Sequence, residues 1–146
     1  MANALTLKNA WRLTRMIVLI DTGLLTKSTT QRAPEKENVI YICRACKTPI
    51  TEERYLIKIR DDSFQHTFYN PHGFKFTIFT FGFCQSLLDI SRPSYEYTWF
   101  SGYEWISQCC AKCLEHLGWR FQSGNQKPSQ FFALIHEKIE KTTFTT

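Results

Sequence analysis

The sequence predicts a mostly β domain pinned by a metal ion, on three observations. Residues 74–83 alternate Phe74, Phe76, Ile78 and Thr80 with Lys75, Thr77, Phe79 and Phe81, the two-residue period of a strand. Aromatic residues make up 15% of the 146-residue chain and Phe dominates them, a composition that suits a β-rich core. Two Cys-x-x-Cys pairs, Cys43/Cys46 and Cys110/Cys113, stand about seventy residues apart. Two such pairs can close a tetrahedral thiolate site around zinc.

Taken in order, residues 1–38 read as a leader and linker. Lys8, Arg12 and Arg15 precede the apolar run MIVLI at 16–20, which Asp21 ends. A signal core needs about 7 to 15 apolar residues, and a membrane span about 20. The expectation is therefore a loosely amphipathic helix over 5–20, then a polar linker containing Pro34. This favours an intracellular chain and leaves secretion open. Residues 39–43 form an apolar strand leading into the first cysteine pair, and 55–60 a second strand candidate closed by a turn at Asp61-Asp62-Ser63. Residues 65–70 and 74–83 make a pair of strands joined by Asn70-Pro71-His72-Gly73. After the loop at 123–128, Ser129 can cap a short C-terminal helix whose apolar residues Phe131, Leu134, Ile135 and Ile139 recur at three- and four-residue steps. Residues 142–146 are expected to fray. The domain is thus placed at 39–141.

Charge excludes more than it assigns. The net charge is +5, but Lys and Arg are scattered, without the basic stripe of a nucleic-acid binder. Neither a nucleic acid nor a membrane is an expected partner. Among six cysteines, Cys43, Cys46, Cys110 and Cys113 read as ligands of one structural zinc per chain, with two disulfides as the alternative. Four thiolates leave no open position, so the ion should not activate water. Such a site contributes on the order of 10 kcal/mol to folding. Cys84 reads as a small buried apolar residue and Cys109 as a bystander.

With no catalytic metal, function falls to residues 95–121, which hold three of the four tryptophans: Trp99, Trp105 and Trp119. A single tryptophan is usually a core residue. Three of them around a metal-pinned turn, with Phe121, point to an aromatic pocket. Aromatic walls hold a flat or compact ring by dispersion, or a quaternary ammonium by cation–π attraction. Spacing does not choose between these ligands.

CRAC at 43–46, NPHG at 70–73, RPS at 92–94, WFSGYEW at 99–105 and CAKCLEHLGWRF at 110–121 together resemble the CULT domain, the thalidomide-binding domain of cereblon, over roughly residues 40–140. The resemblance implies a β-tent of two antiparallel sheets pinned by zinc on Cys43, Cys46, Cys110 and Cys113. It implies a cage of Trp99, Trp105 and Trp119, with Phe121 at its base, for cyclic imides such as glutarimides and for uracil-like rings. Asn70 and His72 would approach the ligand from the side. Tyr97 stands where the family has a histidine. That position and the following Trp bond the imide largely through their backbone, so the change should alter affinity only modestly. The chain shows no counterpart of a Lon-like domain or of a helical region for a ubiquitin-ligase adaptor, and so reads as a stand-alone CULT protein for which receptor function in a ligase is not implied.

Two rival classes are weighed against this non-catalytic binding module. Methionine sulfoxide reductases resemble the fold and carry paired zinc knuckles, but place a nucleophilic cysteine after the second knuckle, where this chain has Trp119-Arg120-Phe121. A zinc module for single-stranded nucleic acid would stack bases on the indoles but needs a basic groove.

Overall fold

A computed structural model describes residues 37–144. The helix expected over 5–20, most of the linker and residues 145–146 lie outside these residues. The described chain forms β1 (Asn38–Cys43), β2 (Pro49–Glu52), β3 (Gln65–Tyr69), β4 (Lys75–Phe81), β5 (Leu87–Asp89), β6 (Glu104–Cys110), β7 (His116–Gln122), β8 (Gln130–Ile135) and β9 (Ile139–Phe144). They make two antiparallel sheets, one of three strands in the order β2-β1-β9 and one of six in the order β3-β4-β8-β7-β6-β5.

Alternation along the strands builds a core on each face of the larger sheet. On one face Phe81, Leu117 and Leu134 meet Tyr41, Cys43, Ile50 and Ile139, which closes the space between the two sheets. On the other, Ile78, Phe121, Phe131, Ala133 and Ile135 are covered by Ile59, Phe100 and Tyr103 from the connecting loops. The expected strands at 39–43, 65–70 and 74–83 are present as β1, β3 and β4. The NPHG turn closes with bonds from Gly73 N–H to Asn70 C=O (2.9 Å) and from Asn70 N–H to Phe74 C=O (2.9 Å). Gly73 supplies the φ of 82° that a side chain would resist.

Three expectations are corrected. The C-terminal helix is absent from the described residues, and Gln130–Ile135 is strand β8. The run FFALI is apolar on both faces because β8 lies between β4 and β7 with a core on either side. Such a doubly buried strand loses the alternation that would distinguish it from a helix. The tail does not fray at 142–144, since β9 pairs Thr142, Thr143 and Phe144 with Ile40, Val39 and Asn38 of β1. Residues 55–60 are not a regular strand. A 3₁₀ turn at Glu53–Tyr55 leads to a single bridge, Leu56 with Phe81, and the chain then bends. Arg60, Asp61 and Asp62 all adopt left-handed φ values of 45–54°, which no strand contains.

One irregularity positions the site. Across β6 and β7, Trp105 lies opposite Phe121, Ser107 opposite Trp119 and Gln108 opposite Gly118, but Cys109 lies opposite His116. β7 therefore holds one extra residue, a β-bulge at Leu117–Gly118. In a regular strand His116 and Trp119, three residues apart, would face opposite sides. The bulge brings both to one face, with ring centroids 5.0 Å apart, while Leu117 points into the core between the sheets. Gly118 has φ +154°, and a Cβ there would lie 2.0 Å from the Ala133 carbonyl oxygen. Only glycine allows this bulge.

Candidate functional site

The two cysteine pairs fold as the same local unit. Each follows the end of a strand and turns back on it. Lys47 N–H bonds Cys43 C=O (2.8 Å), and Leu114 N–H bonds Cys110 C=O (2.9 Å). The fifth residue of each unit is left-handed, Lys47 at φ 64° and Leu114 at φ 63°. Cys43 ends β1 in the smaller sheet and Cys110 ends β6 in the larger, so the two units meet across the gap between sheets.

All four Sγ atoms lie within 4.8 Å of one another, with Cys43–Cys113 at 3.6 Å and Cys46–Cys110 at 3.5 Å. A disulfide would need about 2.05 Å. Tetrahedral zinc with bonds of about 2.3 Å sets its sulfurs about 3.8 Å apart, which fits. The electrostatics suit a site for a cation. Donation from the Thr48 hydroxyl and backbone N–H lowers Cys46 to about 6. The Glu115 N–H favours the Cys113 thiolate too, but desolvation and the neighbouring sulfurs outweigh it and push that thiol up to about 12. Burial raises Cys43 as well. Such a cluster ionises fully only when a dication supplies the counter-charge. The four cysteines can thus hold one metal ion, with no position left open for substrate.

The aromatic cavity is built on the loop-covered face of the larger sheet. It encloses about 320 Å³ and is lined by Asn70, Pro71, Phe76, Glu96, Tyr97, Trp99, Trp105, Ser107, His116, Trp119 and Phe121. Trp105 and Trp119 stand on β6 and β7, with Phe121, 1% exposed, forming the floor opposite Trp105. Trp99 closes the cavity from the loop, edge to face with Trp119 at 4.8 Å and 74°. Its ring is held by stacking on Phe68 (5.1 Å, 13°) and by donating from Nε1 to Tyr69 C=O (3.2 Å). Trp105 Nε1 donates to Glu96 C=O (2.8 Å). Both indole N–H groups are thereby used for positioning the walls. Arg60, from the left-handed turn, donates to Ser101 C=O and lies 5.9 Å from the Phe100 ring centre, anchoring the segment that follows Trp99.

The structure brings Asn70, Tyr97, Trp99, Trp105, Trp119 and Phe121 to one cavity, whereas His72 is not part of its wall. Asn70 Oδ1 accepts from the N–H groups of His72 (3.0 Å) and Phe74 (2.9 Å), so its side chain caps its own turn. Tyr97 has φ 54° and is 76% exposed. Among the described residues its peptide groups and those of Trp99 have no protein partner. Sequence reasoning missed Pro71, Phe76, Glu96, Ser107 and His116. Ser107 was recoverable, because it lies two residues from Trp105 on the same strand. His116 was not, because its facing depends on the bulge.

No protein-family model matches the chain. Among curated proteins it is similar to protein cereblon of Danio rerio, 29% identical over 103 residues, covering 68% of this chain and 24% of that protein. Protein cereblon of Gallus gallus is 30% identical over 100 residues, 66% of this chain and 22% of that protein. Protein cereblon of Drosophila melanogaster is 30% identical over 133 residues, 88% of this chain and 22% of that protein. The chain therefore spans about a fifth to a quarter of the length of these relatives.

Proposed function

The chain is a cereblon-like CULT-domain protein, and from that premise we propose that it is a non-catalytic module that binds cyclic imides or uracil-like rings, free or carried at the C-terminus of a protein. The observation that carries this reading is the cavity walled by Trp99, Trp105 and Trp119 over Phe121, in a fold that also holds a four-thiolate centre fitting zinc. Zinc, when bound, supplies no chemistry beyond fixing the fold. Cys43 and Cys46 would hold it from one sheet and Cys110 and Cys113 from the β6–β7 turn, which joins the strands carrying Trp105 and Trp119.

An imide presents C=O, N–H and C=O along one edge and a compact apolar body behind it. The tryptophans cover the body, and the peptide groups of Tyr97 and Trp99 pair with the edge. Ring opening adds a charge or a free amide that these walls leave unsatisfied, at a cost of about 1 to 3 kcal/mol. The spare thiols support a non-catalytic role. Burial holds Cys84 protonated, Cys109 is buried, and neither lines the cavity. The test is quenching of tryptophan fluorescence by a glutarimide, its hydrolysed form and trimethyllysine. Saturable quenching by the glutarimide alone is expected. Equal binding of all three, or tightest binding of trimethyllysine, would replace the imide by a cation.

A further inference from the structure

The cavity has a second end whose chemistry differs from that of the cage. Along β6 and β7 the rungs Trp105 with Phe121 and Ser107 with Trp119 face it in succession, and from the next rung, Cys109 with His116, the histidine joins its wall. The first two rungs carry the aromatic walls. Ser107 shares their face by ordinary two-residue alternation, and His116 reaches it because of the bulge. Bulges next to binding sites commonly re-aim one side chain in this way.

Both residues have a polar atom to spare. The Ser107 backbone is engaged, its N–H with Ser91 Oγ (2.9 Å) and its C=O with Ile90 N–H (2.9 Å). Its hydroxyl has no protein partner among the described residues. His116 Nε2 lies 3.0 Å from Gly118 C=O. A carbonyl only accepts, so Nε2 must carry the proton, and in the neutral ring Nδ1 is then an acceptor. Nδ1 also has no protein partner among the described residues. Burial holds His116 below the ordinary histidine range, which keeps the ring neutral.

We propose that Ser107 and His116 form a polar subsite beside the tryptophan cage that takes an amide-like substituent on the ring of the bound imide, with the substituent N–H donated to His116 Nδ1 and its C=O accepting from the Ser107 hydroxyl. This rests on the imide reading of the cage. The donor set selects against a carboxylate substituent, because neutral His116 offers no counter-charge and Glu96 lines the same cavity.

Three probes separate the two levels of the argument: glutarimide, 3-acetamidoglutarimide and 3-isobutylglutarimide, the last an apolar isostere of the second. The acetamido ligand should bind about tenfold more tightly than the isobutyl one, as two neutral hydrogen bonds allow. Ser107→Ala should shrink that ratio several-fold. In the unmodified protein the ¹⁵N resonance of His116 Nδ1 should move on adding the acetamido ligand and not the isobutyl one, a readout independent of any variant's folding. Glutarimide binding with no preference between the substituted ligands, a preference that survives Ser107→Ala unchanged, or an unmoved Nδ1 resonance would each overturn the subsite and leave the cage intact. Failure of glutarimide to bind at all would overturn both.

Discussion

Gly118→Ala tests the bulge on which the site depends. The new Cβ would sit 2.0 Å from Ala133 O and 3.0 Å from Leu134 Cα, all backbone, where ordinary contact begins at 3.4 Å. Relief requires more than an ångström of movement between β7 and β8, which opens their ladder at the Gly118–Leu134 and Trp119–Ala133 pairs. Two backbone hydrogen bonds at about 0.5–1.5 kcal/mol each account for roughly 1–3 kcal/mol. Overpacking the core beneath adds about 1–3 kcal/mol. A loss of about 2–6 kcal/mol is expected, and at about 4–8 °C per kcal/mol for a domain of this size the melting temperature should fall by at least about 8 °C. The assay is thermal unfolding followed by circular dichroism, with Gly124→Ala as the control. A Cβ at Gly124 meets nothing within 4 Å, so that variant should stay within about 1 kcal/mol of the parent. If Gly118→Ala melts as Gly124→Ala does, the bulge does not require glycine and the account of how His116 and Trp119 share a face is wrong.

Metal analysis of the folded protein should find one zinc per chain, and Cys46→Ser should unfold or severely destabilise it, since the remaining sulfurs lose their counter-charge; disulfides among the four cysteines would refute this. Trp119→Ala should lower imide affinity by several kcal/mol at most, with zinc content unchanged by atomic absorption. Tyr97→Phe should leave imide binding nearly unaltered in the same fluorescence titration; a loss above about tenfold, or 1.4 kcal/mol, would give the phenol a contact that the backbone assignment denies it. His116 has a folded pKa depressed by burial. The unfolded chain therefore binds more protons between that value and about 6.5, and stability should fall as pH drops through this window. His116→Phe should flatten that part of the pH–stability profile while both proteins share any loss from thiolate protonation; identical profiles would show that His116 titrates normally.

How much was legible in the sequence depended on whether a residue's role was set locally. The two cysteine pairs were readable because a metal site demands a fixed spacing, and the NPHG turn because Asn, Pro and Gly each force backbone geometry. The tryptophans were found by their density and recognised by the motifs around them. β8 was misread because burial on both faces erases the strand period. The turn at 61–63 was readable, but the strand before it does not form: the chain bends after the single bridge at Leu56, and Arg60 is already left-handed, held by its bond to a carbonyl 41 residues away. His116 stayed hidden for the same reason, since a one-residue bulge is decided by the close approach of β8 to Gly118.

Asn38, which opens β1, lies directly opposite Phe144, which closes β9. Antiparallel partners of this kind have Cα atoms about 5 Å apart. The chain thus enters and leaves the domain at almost one point, and it does so on the three-stranded sheet, which carries none of the tryptophans. That is the anatomy of a cassette. Spliced into a surface loop of a host protein, the domain would separate the host's two ends by little more than a tight turn does, and grafts of this kind are well tolerated. The same closeness allows a circular permutant, with 38 and 144 joined by a short linker and new ends cut beside Gly124, where the loop is open. The spliced form would carry the tryptophan walls on the sheet that is not tethered, so an imide sensor could be anchored through both of its ends at once.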